Sequence, residues 1–333
     1  MIWSIQYLRF FACLMVVTLH LTNKASLNDG GGGYLFFGAS GVDLFFVISG
    51  FIMSYISEKK ELGPVEFFKN RVLRIYPIYL VTLIPFLFVF LLFPEIVNTH
   101  SETPSILKSI TLLPFLNGGS LNMVAWTLSY EFYFYLIFSA ALILRKDAIL
   151  TSTAILLVIM SVGNAFNVKF IGATISLEFV FGMLIFSFIY KKISIGKKMA
   201  IFLILTGLGW ICFSSSVEVG GDGFARVFHY GIPSALIFIG FLSDDLFTKK
   251  ISFLSSLGDA SYSVYLTHIL TINAVYLAFK EVGMQNKMYY LMIIVGIILS
   301  MAVGFFIHKK IELPLTEKVK LIPFFHKKTS QNR

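Results

Sequence analysis

Ten stretches of this chain are long and apolar enough to cross the ~30 Å hydrocarbon core of a bilayer, which leaves the rest of the sequence to serve mostly as connections. They lie near residues 3–22, 36–57, 76–93, 122–144, 148–163, 172–190, 199–214, 226–242, 259–279 and 288–308. The runs are continuously apolar, without the alternation of a membrane β-barrel, so each reads as a helix. The expected fold class is all-α, a polytopic integral membrane protein of about ten helices. Composition agrees: 14% of the residues are charged, against ~25% in soluble domains, which excludes a nucleic-acid enzyme, a disordered regulator or a cytosolic dehydrogenase. Cys13 and Cys212 sit inside apolar runs at neither a disulfide-framework nor a zinc spacing, and no metal is expected.

Lysine and arginine are retained on the cytoplasmic side of a membrane protein. Of the 27 such residues, 20 fall in segments 58–75, 145–147, 191–198, 243–258 and 309–333, which alternate along the chain. An even number of spans with both termini cytoplasmic puts all five segments on one side. The other connections hold Lys24, Lys108, Lys169, Arg226, Lys280 and Lys287. The first run contains Arg9 and His20 and lacks a small-residue cleavage site, so it reads as a retained helix rather than a signal peptide. The Gly30 to Gly33 run has no Gly-Lys-Ser/Thr after it and reads as a flexible loop rather than a phosphate-binding loop. Within the long connection 94–121, Ile106 to Phe115 with Pro114 reads as an interfacial or re-entrant piece. The organisation is a membrane unit over 1–315 and a basic cytoplasmic tail over 316–333.

An ionisable group inside a span costs at least ~2.5–3.5 kcal/mol on insertion scales, so each one is a functional candidate. They are Arg9, His20, Asp43, Glu131, Glu178 and His268, with His229, His308 and Glu312 less deep. Eleven residues of α-helix separate Arg9 from His20, about 1100° of rotation and ~16.5 Å of rise, which places both on one face. Asp43 lies in the segment from Gly38 to Phe51, which also holds Ser49 and whose small residues permit close helix approach; it needs a partner. Arg71 and Arg74, at i,i+3 spacing beside Lys69, are either the ordinary basic flank of a span or a clamp on an anionic ligand. Thr127, Glu131 and Tyr135 recur every four residues on one face, and Tyr265 precedes His268 by about one turn. His268 and the tyrosines are either polar glue between helices or part of the chemistry. Glu178 has no assigned role. A transporter or flippase with a buried proton pathway is the alternative function, although no symmetry between halves supports it.

Together these segments resemble the bacterial membrane acyltransferase-3 family, which O-acylates surface glycans. The resemblance rests on Arg9-x10-His20, Gly38 to Phe51, Arg71-x-x-Arg74, Trp126 to Glu131, Arg226 to Ser234, Ser261 to His268 and the terminal Ile311-Glu312-Leu313-Pro314, in order along almost the whole chain. The opening Ser4-Ile5-Gln6-Tyr7-Leu8-Arg9 is similar to the exopolysaccharide and O-antigen acetyltransferase branch. That resemblance implies an inner-membrane enzyme moving an acetyl group from cytoplasmic acetyl-CoA to a hydroxyl of a glycan or lipid-linked saccharide, with membrane lipid and no nucleic acid as its other surroundings. Some relatives carry an appended extracytoplasmic esterase-like domain; here the membrane unit is expected to hand over the acetyl group itself or to a separate partner. The resemblance makes His20 the base or the acylated residue. Arg9 is expected to bind donor or support the oxyanion, and Arg71, Arg74 and Lys69 to hold the coenzyme A phosphates. Asp43 and Glu131 are the carboxylates available to orient His20 or pair with Arg9. Ser49, Tyr265 and His268 are further candidates.

Overall fold

A computed structural model describes residues 2–29, 36–59, 62–93, 103–144, 147–214, 223–284 and 288–320. The glycine run 30–33 and the tail beyond Lys320 lie outside the described residues. Among the described residues ten helices are long and apolar enough to cross a membrane: Trp3–Ser26, Phe37–Lys59, Pro64–Leu92, Met123–Ile143, Ala148–Ala165, Lys169–Tyr190, Lys197–Ser214, Phe224–Phe241, Ser252–Glu281 and Tyr289–Val319. Among the described residues the only extended pairing is an isolated bridge between Pro104 and Gly119.

Helices are numbered along the chain. The elements that build the site are α1 (Trp3–Asp29), α2 (Ser40–Lys59) and α3 (Pro64–Leu92), then the short α4 (Ile106–Thr111), α5 (Trp126–Ile143), α6 (Ala148–Ala165), α7 (Lys169–Gly172) and α8 (Ser176–Leu184). They continue with α9 (Lys197–Ser214), α10 (Phe224–Arg226), α11 (Ile232–Phe241), α12 (Ser252–Glu281), α13 (Tyr289–Ile307) and α14 (Leu313–Lys320). A π-helical turn, Val227–Gly231, joins α10 to α11 as one span.

Three boundaries differ from the sequence expectation, each because hydropathy sees lipid contact rather than helix. The third span starts twelve residues before position 76, at Pro64, whose fixed φ suits the first turn of a helix. Arg71 and Arg74 therefore sit on α3 itself and not in a cytoplasmic loop. The ninth helix starts at Ser252, through the polar Ser255 and Ser256 that an apolar scan passes over. The start of the expected tail is helical too, since α14 continues to Lys320. In the 94–121 connection the structure places α4, with Ile106, Leu107 and Ile110 exposed. The phenols of Tyr76 and Tyr79 donate to the carbonyls of Ile110 and Ser109, both at 2.5 Å, and so satisfy the C-terminal end of α4.

In lipid, helices associate through close packing and buried polar contacts rather than through hydrophobic exclusion. α1 lies along α12, α12 along α13, α2 along α8 and α9 along α11. Glycine permits the close approach in each of these pairs, and two show how. A Cβ on Gly50 would strike the carbonyl oxygen of Phe179, and one on Gly182 the carbonyl oxygen of Val47, so α2 and α8 meet backbone to backbone. Gly258 of α12 rests in the same manner on the carbonyl of Gln6 in α1. Phe46, Phe51, Phe134 and Phe179 are buried around these contacts, with Phe134 and Phe179 stacked at 4.3 Å.

Candidate active site

A cavity of about 330 Å3 opens among the beginning of α1, most of the length of α2, and α3, α5 and α12. It falls within the ~300–1,000 Å3 range of small-molecule sites. Arg9, Arg71 and Arg74 line it, as do Ser49, Glu131 and Tyr265. Because Ile2, just before α1, Ile5 of α1 and Arg71 and Arg74 of α3 all border it, the cavity lies at the end of the bundle where the chain begins.

The cavity's acid is held in place by α2 and its own helix. Ser49 Oγ donates to Glu131 Oε1 at 3.3 Å, and the hydroxyl of Tyr135, one turn further along α5, donates to the same oxygen. The four-residue spacing of Thr127, Glu131 and Tyr135 does bring all three to the cavity wall. Arg9 receives one fixed contact, donating from Nη1 to Gln6 Oε1 at 3.3 Å, and lies within electrostatic reach of Arg74, Glu131, Asp259 and Glu312. The Nε of Arg71 is buried without a hydrogen-bond partner, as is the Oγ of Ser261, another residue of the cavity wall. A guanidinium with an unused donor beside two further arginines is suited to an anionic group with several acceptor oxygens. Lys69 is not among the residues that line the cavity.

His20 lies elsewhere. Although it shares a helix face with Arg9, the cavity wall does not extend to it; His20 instead faces His268, with ring centroids 5.2 Å apart and ring planes 46° apart. Tyr265 separates the two regions. Its ring borders the cavity, packs edge-on against Phe45 at 6.0 Å and lies 5.6 Å from His268, while its hydroxyl shares a 2.9 Å hydrogen bond with Thr127. His268 Nδ1 meets the carbonyl of Tyr265 at 2.7 Å.

Asp43 does not orient His20 or pair with Arg9. It is fully buried and receives Nε and Nη2 of Arg226 on its two oxygens at 3.0 and 2.8 Å, a bidentate pair linking α2 to α10. Arg226, counted from the sequence among the loop charges, is 7% exposed. Glu178 is fully buried near the same guanidinium, with its carboxylate against Gly231. Sequence reasoning missed Arg226 as a partner, although a buried Asp43 demanded a base and Arg226 begins the eighth span. At the chain-start end, Glu312 accepts from His308 Nδ1 and Ser263 Oγ, both at 2.7 Å. Among the described residues no group of three His, Cys, Asp or Glu comes together as a metal site.

Comparison with known proteins gives this arrangement a context. A family model described as an acyltransferase domain matches residues 2–309. The chain is similar to the exopolysaccharide production protein ExoZ of Rhizobium meliloti, 31% identical over 277 residues that cover 76% of this chain and 82% of that protein. It is similar to the O-acetyltransferase OatA of Staphylococcus aureus, 27% identical over 97% of this chain but only 59% of OatA's length. A shorter match, 30% identical over 147 residues, is to the acyltransferase MdmB of Streptomyces mycarofaciens, covering 40% of this chain and 38% of that one. No solved structure matches.

Proposed function

Because the chain belongs to the acyltransferase-3 family, and is accordingly a multi-pass membrane O-acyltransferase, we propose that it moves an acetyl group from cytoplasmic acetyl-CoA to a hydroxyl of a surface glycan. One observation carries this reading: Arg9, Arg71 and Arg74, from two helices far apart in sequence, border one cavity beside Glu131. The names of its relatives, an exopolysaccharide production protein and an O-acetyltransferase, favour a glycan hydroxyl and an acetyl group. The lysine and arginine distribution favours a cytoplasmic mouth for the cavity, in the inner membrane, with both termini on that side.

In this reading Arg71 and Arg74 bind the coenzyme A phosphates as bidentate donors, while the acyl-bearing arm enters toward Tyr265. Glu131, fixed by Ser49 and Tyr135, balances the positive wall so that Arg9 keeps an orientation usable for donor binding or for the oxyanion of the transfer. Past the layer formed by Phe45 and Tyr265, His20 takes the proton of the acceptor hydroxyl as that oxygen bonds to the acyl carbon. The carbon–sulfur bond breaks, and the departing coenzyme A thiolate takes up the proton released by His20. A lipid-linked saccharide reaching His20 from the other face supplies the acceptor.

The test is the O-acetyl content of purified surface polysaccharide, read by NMR from cells lacking the gene and complemented at matched membrane levels. Wild type restores the O-acetyl signals and His20→Ala does not. Equal restoration by His20→Ala refutes the base assignment, and no change with wild type refutes the acetyl–glycan pairing.

A further inference from the structure

We infer that His268 is a positioning residue, whose Nε2 fixes the tautomer of His20 and hence which His20 nitrogen carries the lone pair. The inference rests on the reading of His20 as the base. His268 has no exposed surface, and its Nδ1 lies 2.7 Å from the carbonyl oxygen of Tyr265. A carbonyl only accepts, so Nδ1 carries the proton, and in the neutral ring Nε2 is left as an acceptor. That Nε2 is buried, and no described group donates to it. Buried acceptors without donors are rare because they forfeit the hydrogen bond that water would have given.

The facing group with a proton to offer is His20. Ring nitrogens lie ~1.1 Å from an imidazole centroid, so rings with centroids 5.2 Å apart leave about 3 Å between nitrogens turned toward each other, which is hydrogen-bond distance. A His20 ring nitrogen turned toward His268 completes that bond. A proton given to His268 by that nitrogen leaves the other with the lone pair, the form a base must have before it meets the acceptor hydroxyl. Tyr265 thus acts twice through one residue position: its carbonyl sets the tautomer of His268, and its ring closes the end of the donor cavity. If the two histidines were only polar packing between α1 and α12, the tautomer of His20 would not depend on what stands at 268.

The experiment uses the full chain, labelled with 15N-histidine in lipid nanodiscs, where nitrogen shifts report the tautomer of each ring. His20 is assigned by the signals lost in His20→Ala. Wild type is expected to show one neutral tautomer at His20. His268→Phe keeps a ring but offers no acceptor; it turns the His20 signals into a mixture and lowers glycan O-acetylation about tenfold, the order of population ratio that one hydrogen bond sustains. His268→Gln, whose amide oxygen accepts, recovers the single tautomer and most of the O-acetylation. A mixture in wild type, or an unchanged His20 tautomer in His268→Phe, overturns the inference. Should His268→Phe not fold, a mixture in His268→Gln overturns it equally. A changed tautomer with undiminished O-acetylation leaves the hydrogen bond between the rings standing but overturns its part in the reaction, and with it His20 as the base.

Discussion

Removing one side of the Asp43–Arg226 pair tests the electrostatics of the bundle, because the two sides are unequally replaceable. Arg226 reaches Asp43 through two bonds of 3.0 and 2.8 Å, and Glu178 lies near the same guanidinium with no exposed surface. Asp43→Asn keeps one oxygen to accept from Arg226 and leaves Glu178 as a countercharge. Its cost is about one charge-assisted hydrogen bond, ~1.5–3 kcal/mol. Arg226→Met loses both bonds to Asp43 and removes the cation beside two buried carboxylates, so its cost is expected at or above the ~3–5 kcal/mol typical of breaking a buried ion pair. The double variant should cost less than the two together by a coupling of ~0.5–3 kcal/mol, because the second change removes a charge already left unpaired. Reversible unfolding of the purified protein in mixed micelles, titrated with a denaturing detergent, gives all three values. The reasoning fails if Asp43→Asn is as costly as Arg226→Met, or if the two effects simply add.

The donor assignment predicts that Arg71→Gln and Arg74→Gln raise the KM for acetyl-CoA in membrane preparations several-fold each, with the larger effect at Arg71, whose Nε is buried and unused. An effect confined to kcat counts against phosphate binding. Gly50→Leu should lower the stability of the folded bundle by at least the ~1–3 kcal/mol of ordinary overpacking, since the new side chain meets the Phe179 backbone rather than a yielding side chain. A variant that unfolds at the wild-type detergent concentration would show that α2 and α8 are free to separate.

The spans were legible because lipid imposes one rule on every residue of a crossing helix, and all ten runs match spanning helices in order. Their ends were less so: α3 and α12 extend through polar turns that contribute nothing to hydropathy, and this concealed that Arg71 and Arg74 stand on a spanning helix. Periodicity within one helix was dependable, as Thr127, Glu131 and Tyr135 show by reaching the same cavity. For Arg9 and His20 periodicity gives a shared face and no more, and the structure puts only Arg9 on the cavity wall, with His20 against His268. Pairing between helices was not legible. Asp43 and Arg226 are 183 positions apart, and only the packing of α2 against the span that begins at α10 brings them together. The transporter alternative, open on buried charges alone, gives way to the family match over residues 2–309.

The contact between Gly258 and Gln6 has a consequence at some distance from itself. α1 and α12 leave that contact in the same direction, and His268 stands ten residues further along α12, about 15 Å on an α-helix. The helices behave as the arms of a caliper whose pivot is a hydrogen atom in place of a side chain. Even an alanine at 258 opens the pivot, because its Cβ would occupy the space of the Gln6 carbonyl. The gap between the two imidazoles is therefore set three turns away, by a residue that touches neither ring.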